Sequence, residues 1–172
     1  TVESGATLTI SGYGLNVFGN LVNQGTVVGN TTSKFIFHAD NASPATISNT
    51  GTLTTINFDF DDGDASGKDA DYLLSSSVTI EDLTIDAASN LNCDTYNMTI
   101  NDQFVQNGSL ALGTGTITIK DETADFTESK LTESTSTVSW QGGGVTTGAD
   151  FPNTPTTGLT LYNLDVYGYS TI

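Results

Sequence analysis

The chain has 172 residues and carries 20 Asp+Glu against four Lys, no Arg and one His, for a net charge of −16. That length accommodates one domain or a few turns of a repeat, and the negative charge works against binding phosphate backbones or anionic lipid. No apolar run reaches the roughly 18 to 20 residues that cross a bilayer, and the lone Cys93 excludes an internal disulfide framework and a Cys-based zinc site.

The 172 residues show neither a basic, apolar signal segment nor an initiating Met at Thr1. The chain is therefore expected to be mature, processed or cut from something longer. Thr and Gly are abundant, Pro is rare, and the good helix formers are scarce, a composition that predicts an all-β fold. In chain order, short alternating runs appear at Leu8/Ile10, Leu15/Val17, Phe35/Phe37, Phe58/Phe60, Val78/Ile80, Leu83/Ile85 and Leu91/Cys93. They continue at Met98/Ile100, Ile117/Ile119, Val138/Trp140, Leu159/Leu161 and Leu164/Val166. Each run sets apolar side chains on one face and Thr, Ser, Asn or Asp on the other. Turn pairs such as Ser11-Gly12, Gln24-Gly25 and Asn107-Gly108 separate them.

An internal correspondence narrows the architecture. Residues 1–28 superimpose on 84–111 at a constant shift of 83, with Leu8 on Leu91, Ile10 on Cys93, Leu15 on Met98, Leu21 on Phe104, Gly25 on Gly108 and Val27 on Leu110. Two units follow, 1–83 with an acidic insertion at 59–71, and 84–172. The ends also fit one another. Leu164 and Val166 lead through Tyr169 to Ile172, and Thr1 and Val2 continue the alternation before a Glu3-Ser4-Gly5-Ala6 turn. This seam predicts that Thr1 follows Ile172 of a preceding copy, in one polypeptide or across a subunit junction.

The stretch from Gly19 to Val27, its partner from Asp102 to Leu110, the run Gly113 to Ile119 and the run Leu161 to Val166 resemble the repeats of large prokaryotic cell-surface and filament proteins. Those pair a G-N-F-x-N-x-G-T-F stretch with G-T-G-T-V-T-F and F-Y-N-L-T-V. The resemblance covers most of the chain in two passes and implies a right-handed parallel β-helix on secreted, array-forming proteins. The stretches at 59–71 and 120–137 depart from that pattern.

Several residue groups are candidates for chemistry. Asp59, Asp61, Asp62, Asp64, Asp69 and Asp71 supply hard oxygen donors with Gly63 at a bend, a set suited to Ca²⁺. Gly63 arrives one place too early for the EF-hand pattern and no bidentate Glu follows, so a solvated acidic loop is the competing reading. Four N-x-[ST] sequons fall at Asn30, Asn41, Asn97 and Asn107. His38 reads as a turn residue, Cys93 and Met98 as core, and Trp140 as core rather than a sugar platform. Tyr162, Tyr167 and Tyr169 suit either coil packing or an exposed aromatic patch. Catalysis finds no support in carboxylate spacing, and the few Lys leave an anionic polysaccharide without charge partners.

The expectation is a non-enzymatic β-solenoid unit of an extracellular or cell-surface fibre or sheath, assembling end to end with copies of itself. No cofactor is required, and neither nucleic acid nor membrane insertion is expected. The alternative is an adhesin module that recognises glycans through exposed Tyr or through Ca²⁺ in the acidic loop.

Overall fold

The computed structural model describes residues 1–38, 43–61, 71–120, 124–126, 131–141 and 163–166, and among these the chain is all-β, with no helix. The first turn holds a parallel bridge from Val2 to Asn23 and the strands β1 (Thr7–Thr9) and β2 (Gly14–Val17). Five complete three-strand turns follow. They comprise β3 (Leu21–Asn23), β4 (Thr26–Val28) and β5 (Lys34–Phe37); β6 (Ala45–Asn49), β7 (Thr52–Thr54) and β8 (Asn57–Phe60); β9 (Asp71–Leu74), β10 (Val78–Ile80) and β11 (Leu83–Ile85). The next two are β12 (Asn90–Asn92), β13 (Met98–Ile100) and β14 (Phe104–Gln106), then β15 (Ser109–Gly113), β16 (Thr116–Ile119) and β17 (Ala124–Phe126). Strands β18 (Leu131–Glu133), β19 (Thr137–Trp140) and β20 (Asn163–Val166) extend the stack.

Each strand pairs in parallel with the strand one turn away, so the chain winds as a β-solenoid with three faces. β3, β6, β9, β12, β15 and β18 form the first face, and β2, β5, β8, β11, β14 and β17 the third. The second face is divided into β1-β4-β7 and β10-β13-β16-β19-β20. A turn is short where Asn90 stacks on Asp71, 19 residues away, and long where Ser76 stacks on Asn49, 27 residues away. The long turns take up their extra residues between β5 and β6 and between β8 and β9, two connections at the same corner of the solenoid. The acidic stretch belongs to the second of these. Asp59 and Phe60 lie in β8 and Asp71 opens β9, so its ends are rungs of the ladder.

The interior follows from alternation. Side chains at every second strand position point inward and stack on their equivalents one turn away. Phe35, Phe37, Phe58, Phe60 and Tyr72 fill the wide turns, with Phe37 stacked on Phe60 at 4.6 Å and edge-on to Tyr72 at 4.9 Å. The buried Tyr72 hydroxyl donates to the Val17 carbonyl at 2.8 Å, which meets the requirement that a buried polar tip find a partner. In the later, shorter turns Leu, Ile, Met98 and Cys93 replace most of the rings, and Trp140 closes the described core. Cys93, Met98 and Trp140 are all buried core residues, as their alternation predicts.

Leu15 departs from expectation. It stacks on Phe35, which is 1% exposed, yet is itself 42% exposed because β2 is the outermost strand of its sheet. The run Leu159/Leu161 lies outside the described residues.

The shift of 83 matches hydrogen bonds as well as residue types. Ala6 N–H donates to Glu3 O and Ser89 N–H to Asp86 O; Thr26 donates to Ala6 O and Ser109 to Ser89 O; Ile10 donates to Val28 O and Cys93 to Ala111 O. The second member of each pair sits one face back round the solenoid, since Leu8 lies in β1 on the second face and Leu91 in β12 on the first, so the shift of 83 is not a whole number of turns. At these corners the chain touches the turn beneath. A Cβ on Gly108 would stand 2.2 Å from Asp86 O and 2.4 Å from Ser89 O, and one on Gly25 would meet Ala6 O and Glu3 O at 2.4 Å. We expect Gly108→Ala to destabilise the fold by about 1–3 kcal/mol through overpacking against backbone, read as a lowered urea midpoint. An unchanged midpoint would show that the corner has room to move.

Candidate functional site

The most distinctive site is the split in the second face. Between β6 and β7 the chain turns through Thr50 and Gly51, but between β9 and β10 it needs Ser75, Ser76 and Ser77. Their hydroxyls occupy backbone partners of the neighbouring turns: Ser75 Oγ donates to Ile47 O at 3.1 Å, Ser76 Oγ accepts from Asn49 N–H at 2.5 Å, and Ser77 Oγ accepts from Asn97 N–H at 3.0 Å. Asn49 N–H therefore binds a side chain rather than a carbonyl, and the ladder between β7 and β10 does not form. It resumes beyond the strands, where Glu81 N–H donates to Ile56 O at 3.0 Å. Just before Ile56, Thr55 adopts a φ of +53°, a left-handed conformation that a β-branched residue adopts at a cost of about 1–2 kcal/mol.

The result is a cleft of about 360 Å³ lined by Asn49, Gly51, Thr52, Leu53, Ser77, Val78, Thr79, Asn97 and Thr99. No lining side chain is charged. The backbone contributes as well. Thr52 N–H donates to Gly25 O and Thr54 O accepts from Gly29 N–H, so these residues serve β4. Alternation in a parallel ladder then turns the N–H and C=O of Leu53 the other way, toward β10. On the opposite wall, Val78 N–H donates to Asn97 O and Ile80 O accepts from Asn101 N–H, which directs the Thr79 groups toward β7. Two strand edges thus face each other across the cleft without a ladder bond. Sequence patterning missed this site because Leu53 and Thr79 carry ordinary strand residues. The available signal was the Ser75-Ser76-Ser77 run itself, three hydroxyls in a row at a corner where the turn below carries Thr50 and Gly51.

The candidate calcium ligands are dispersed where they are described. Asp59 pairs with Lys34, Oδ2 to Nζ at 2.6 Å; Asp71 Oδ1 accepts from Asn90 Nδ2 at 2.5 Å; Asp61 lends its carbonyl oxygen to His38 Nδ1 at 2.8 Å. Asp62, Asp64 and Asp69 lie outside the described residues. Among the described residues no group of three or more His, Cys, Asp or Glu converges on one point. His38 bridges three turns, since its Nε2 lies 3.2 Å from Asn16 Oδ1 and its ring stacks on Phe18 at 5.2 Å.

Of the sequons, Asn30, Asn97 and Asn107 stand on exposed corners, and Asn41 lies outside the described residues. Of the seam, Thr1 is exposed, Val2 pairs with β3 by donating to Val22 O at 2.8 Å, and Leu164 and Val166 belong to β20. Tyr169 and Ile172 lie outside the described residues, as do Tyr162 and Tyr167. Burial pushes the Cys93 thiol up from 9.0 to about 12, because the thiolate would be desolvated.

No known protein family matches the chain, and neither does any curated protein or solved structure.

Two outcomes follow from this geometry. In hydrogen exchange, the Leu53 and Thr79 amides should exchange well ahead of Thr52, Thr54, Val78 and Ile80, whose groups point into ladders; equal protection would mean that the split closes in solution. Cys93 should resist thiol reagents at pH 8 until the chain unfolds. Its raised pKa contributes stability that is complete below 9.0 and lost as pH rises toward about 12, so wild type should lose more stability than Cys93→Val above pH 9.0. Parallel losses in the two proteins would contradict this assignment.

Proposed function

We propose that the chain is a structural segment of an extracellular or cell-surface fibre, and that it works by stacking end to end on a second copy of itself. The observation that carries this reading is the surface of the first turn. Tyr13, Leu15 and Phe18 are 75%, 42% and 71% exposed, and they are the large exposed hydrophobic residues among the described ones. All three lie in or beside β2, the outermost strand of the third face. Backbone edges accompany them. Lys34 N–H donates to Tyr13 O and His38 N–H to Val17 O, so alternation points the Gly14 and Asn16 groups outward. On β1, Thr26 N–H donates to Ala6 O and Ile10 N–H to Val28 O, which leaves the Thr7 and Thr9 groups on the open side.

An open parallel edge with apolar side chains is the half of a joint that another rung completes. The other half is at hand. β20 ends the same second face that β1 begins, so stacking two copies in parallel sets β20 of one against β1 of the next. A neutral-to-acidic exterior keeps such a fibre hydrated, and four Lys with no Arg leave few trypsin sites, in keeping with a place outside the cell.

Sedimentation velocity and electron microscopy test the reading. The chain should form end-to-end particles with rising concentration, and each −16 copy should associate more strongly as salt screens the repulsion. Tyr13→Lys with Phe18→Lys should weaken association by about tenfold or more for each ring, the equivalent of roughly 1.5–3 kcal/mol of apolar burial, without lowering the melting temperature. A wild-type chain that stays monomeric at high concentration would refute stacking.

A further inference from the structure

The cleft between β7 and β10 is unused by end-to-end stacking, because it opens on the side of the solenoid rather than on its end. The geometry points to this cleft as a binding site for a short, neutral saccharide. Its size falls in the range of small-molecule sites, about 300–1,000 Å³. Its chemistry is that of a surface for hydroxyl groups. Thr52, Thr79 and Thr99 present hydroxyls that both donate and accept, and Ser77 Oγ, which accepts from Asn97 N–H, keeps its O–H to donate. Asn49 and Asn97, whose Oδ1 atoms accept from Asn23 Nδ2 and Thr116 N–H, add their Nδ2 donors. The Leu53 and Thr79 backbone groups supply a fixed donor and acceptor on each wall, held by strands whose other edges are bonded in ladders. Leu53 and Val78 give an apolar floor for the C–H face of a sugar ring.

Charge decides between classes of sugar. With no cation in the lining and −16 on the chain, a uronate or sulfated glycan meets repulsion and no counter-charge. Width decides against a peptide. Paired strands lie about 4.7–4.9 Å apart, and an inserted strand needs about twice that spacing. Cα atoms of β7 and β10 approach within 8 Å although no ladder joins them, too close for a third strand but suited to bridging hydroxyls or water. No aromatic ring lines the cleft, so binding rests on hydrogen bonds and is expected to be weak for a single sugar. Copies stacked along a fibre would repeat the site and raise the avidity of a long polysaccharide.

Amide-resolved NMR of the full chain tests this with cellotriose, maltotriose, diacetylchitobiose and, as the anionic control, trigalacturonate. At least one neutral oligosaccharide should shift the amides of Gly51, Leu53, Ser77, Thr79 and Asn97 in a saturable manner, with trigalacturonate leaving them in place. Thr79→Glu and Thr52→Glu, both at exposed side chains on opposite walls, should weaken that binding by about tenfold, the equivalent of one or two neutral hydrogen bonds, at unchanged melting temperature. If none of the neutral sugars shifts these amides, or if a Thr-Val-Thr-Val peptide shifts them more strongly than every sugar, the proposal fails.

Discussion

The parallel backbone ladder between successive turns is the constraint on which everything else in this molecule rests. Each strand has to present its N–H and C=O groups to the strand one turn away, because those at buried positions have no water to turn to. That requirement holds the three faces in line over five complete turns although the turns vary in length. The added residues fall in the connections at one corner, between the third face and the first, and the strands on either side keep their pairing. Asp59 and Asp71, at the two ends of the acidic stretch, both belong to the ladder.

Once the ladder is in place, the core needs little further instruction. A residue pointing inward in one turn lies over its equivalent in the next, so like stacks on like: Phe35 on Phe58, Phe37 on Phe60, Ile100 on Ile119. Polar groups obey the same geometry. Asn23 is fully buried, yet its Nδ2 donates to Asn49 Oδ1 at 2.7 Å and to Thr52 O at 3.2 Å, while its Oδ1 accepts from Gly25 N–H. This network ties a corner of one turn to the corner above, a role an apolar residue could not fill without stranding the Gly25 amide. The Lys34–Asp59 pair is a minor contributor by comparison, since a half-exposed ion pair is worth about 0–1 kcal/mol.

The functional proposals arise where the ladder fails. At β1 and β2 it ends, and the side chains that would have been core become an exposed apolar surface. At β7 and β10 it is interrupted, and backbone groups that would have been saturated face an uncharged cleft. One surface suits an identical partner because only another rung of the same spacing completes it. The other suits a small ligand because it is too narrow for a rung. The acidic charge bears on both proposals, disfavouring polyanions and making the proposed self-association depend on screening.

Much of this was legible in the residues alone. Two-residue alternation, abundant Thr and Gly and the shift of 83 between Gly25 and Gly108 are local properties, and local properties suffice for strands, corners and a stacked architecture. The inward assignments of Cys93, Met98 and Trp140 rest on the same periodicity. What periodicity could not reveal was which strands lie beside which. Leu15 and Phe35 have the same pattern, and only the absence of a rung outside β2 exposes one and leaves the other buried. Leu53 and Thr79 look like any strand residues until the register between the two turns, paired at Ile47 and Leu74 and again at Ile56 and Glu81, leaves them without a ladder between. Sequence determined the rungs of this protein because a strand is a local choice of backbone; tertiary structure decided the gaps between them, because a hydrogen bond across turns depends on residues some 19 to 27 positions away.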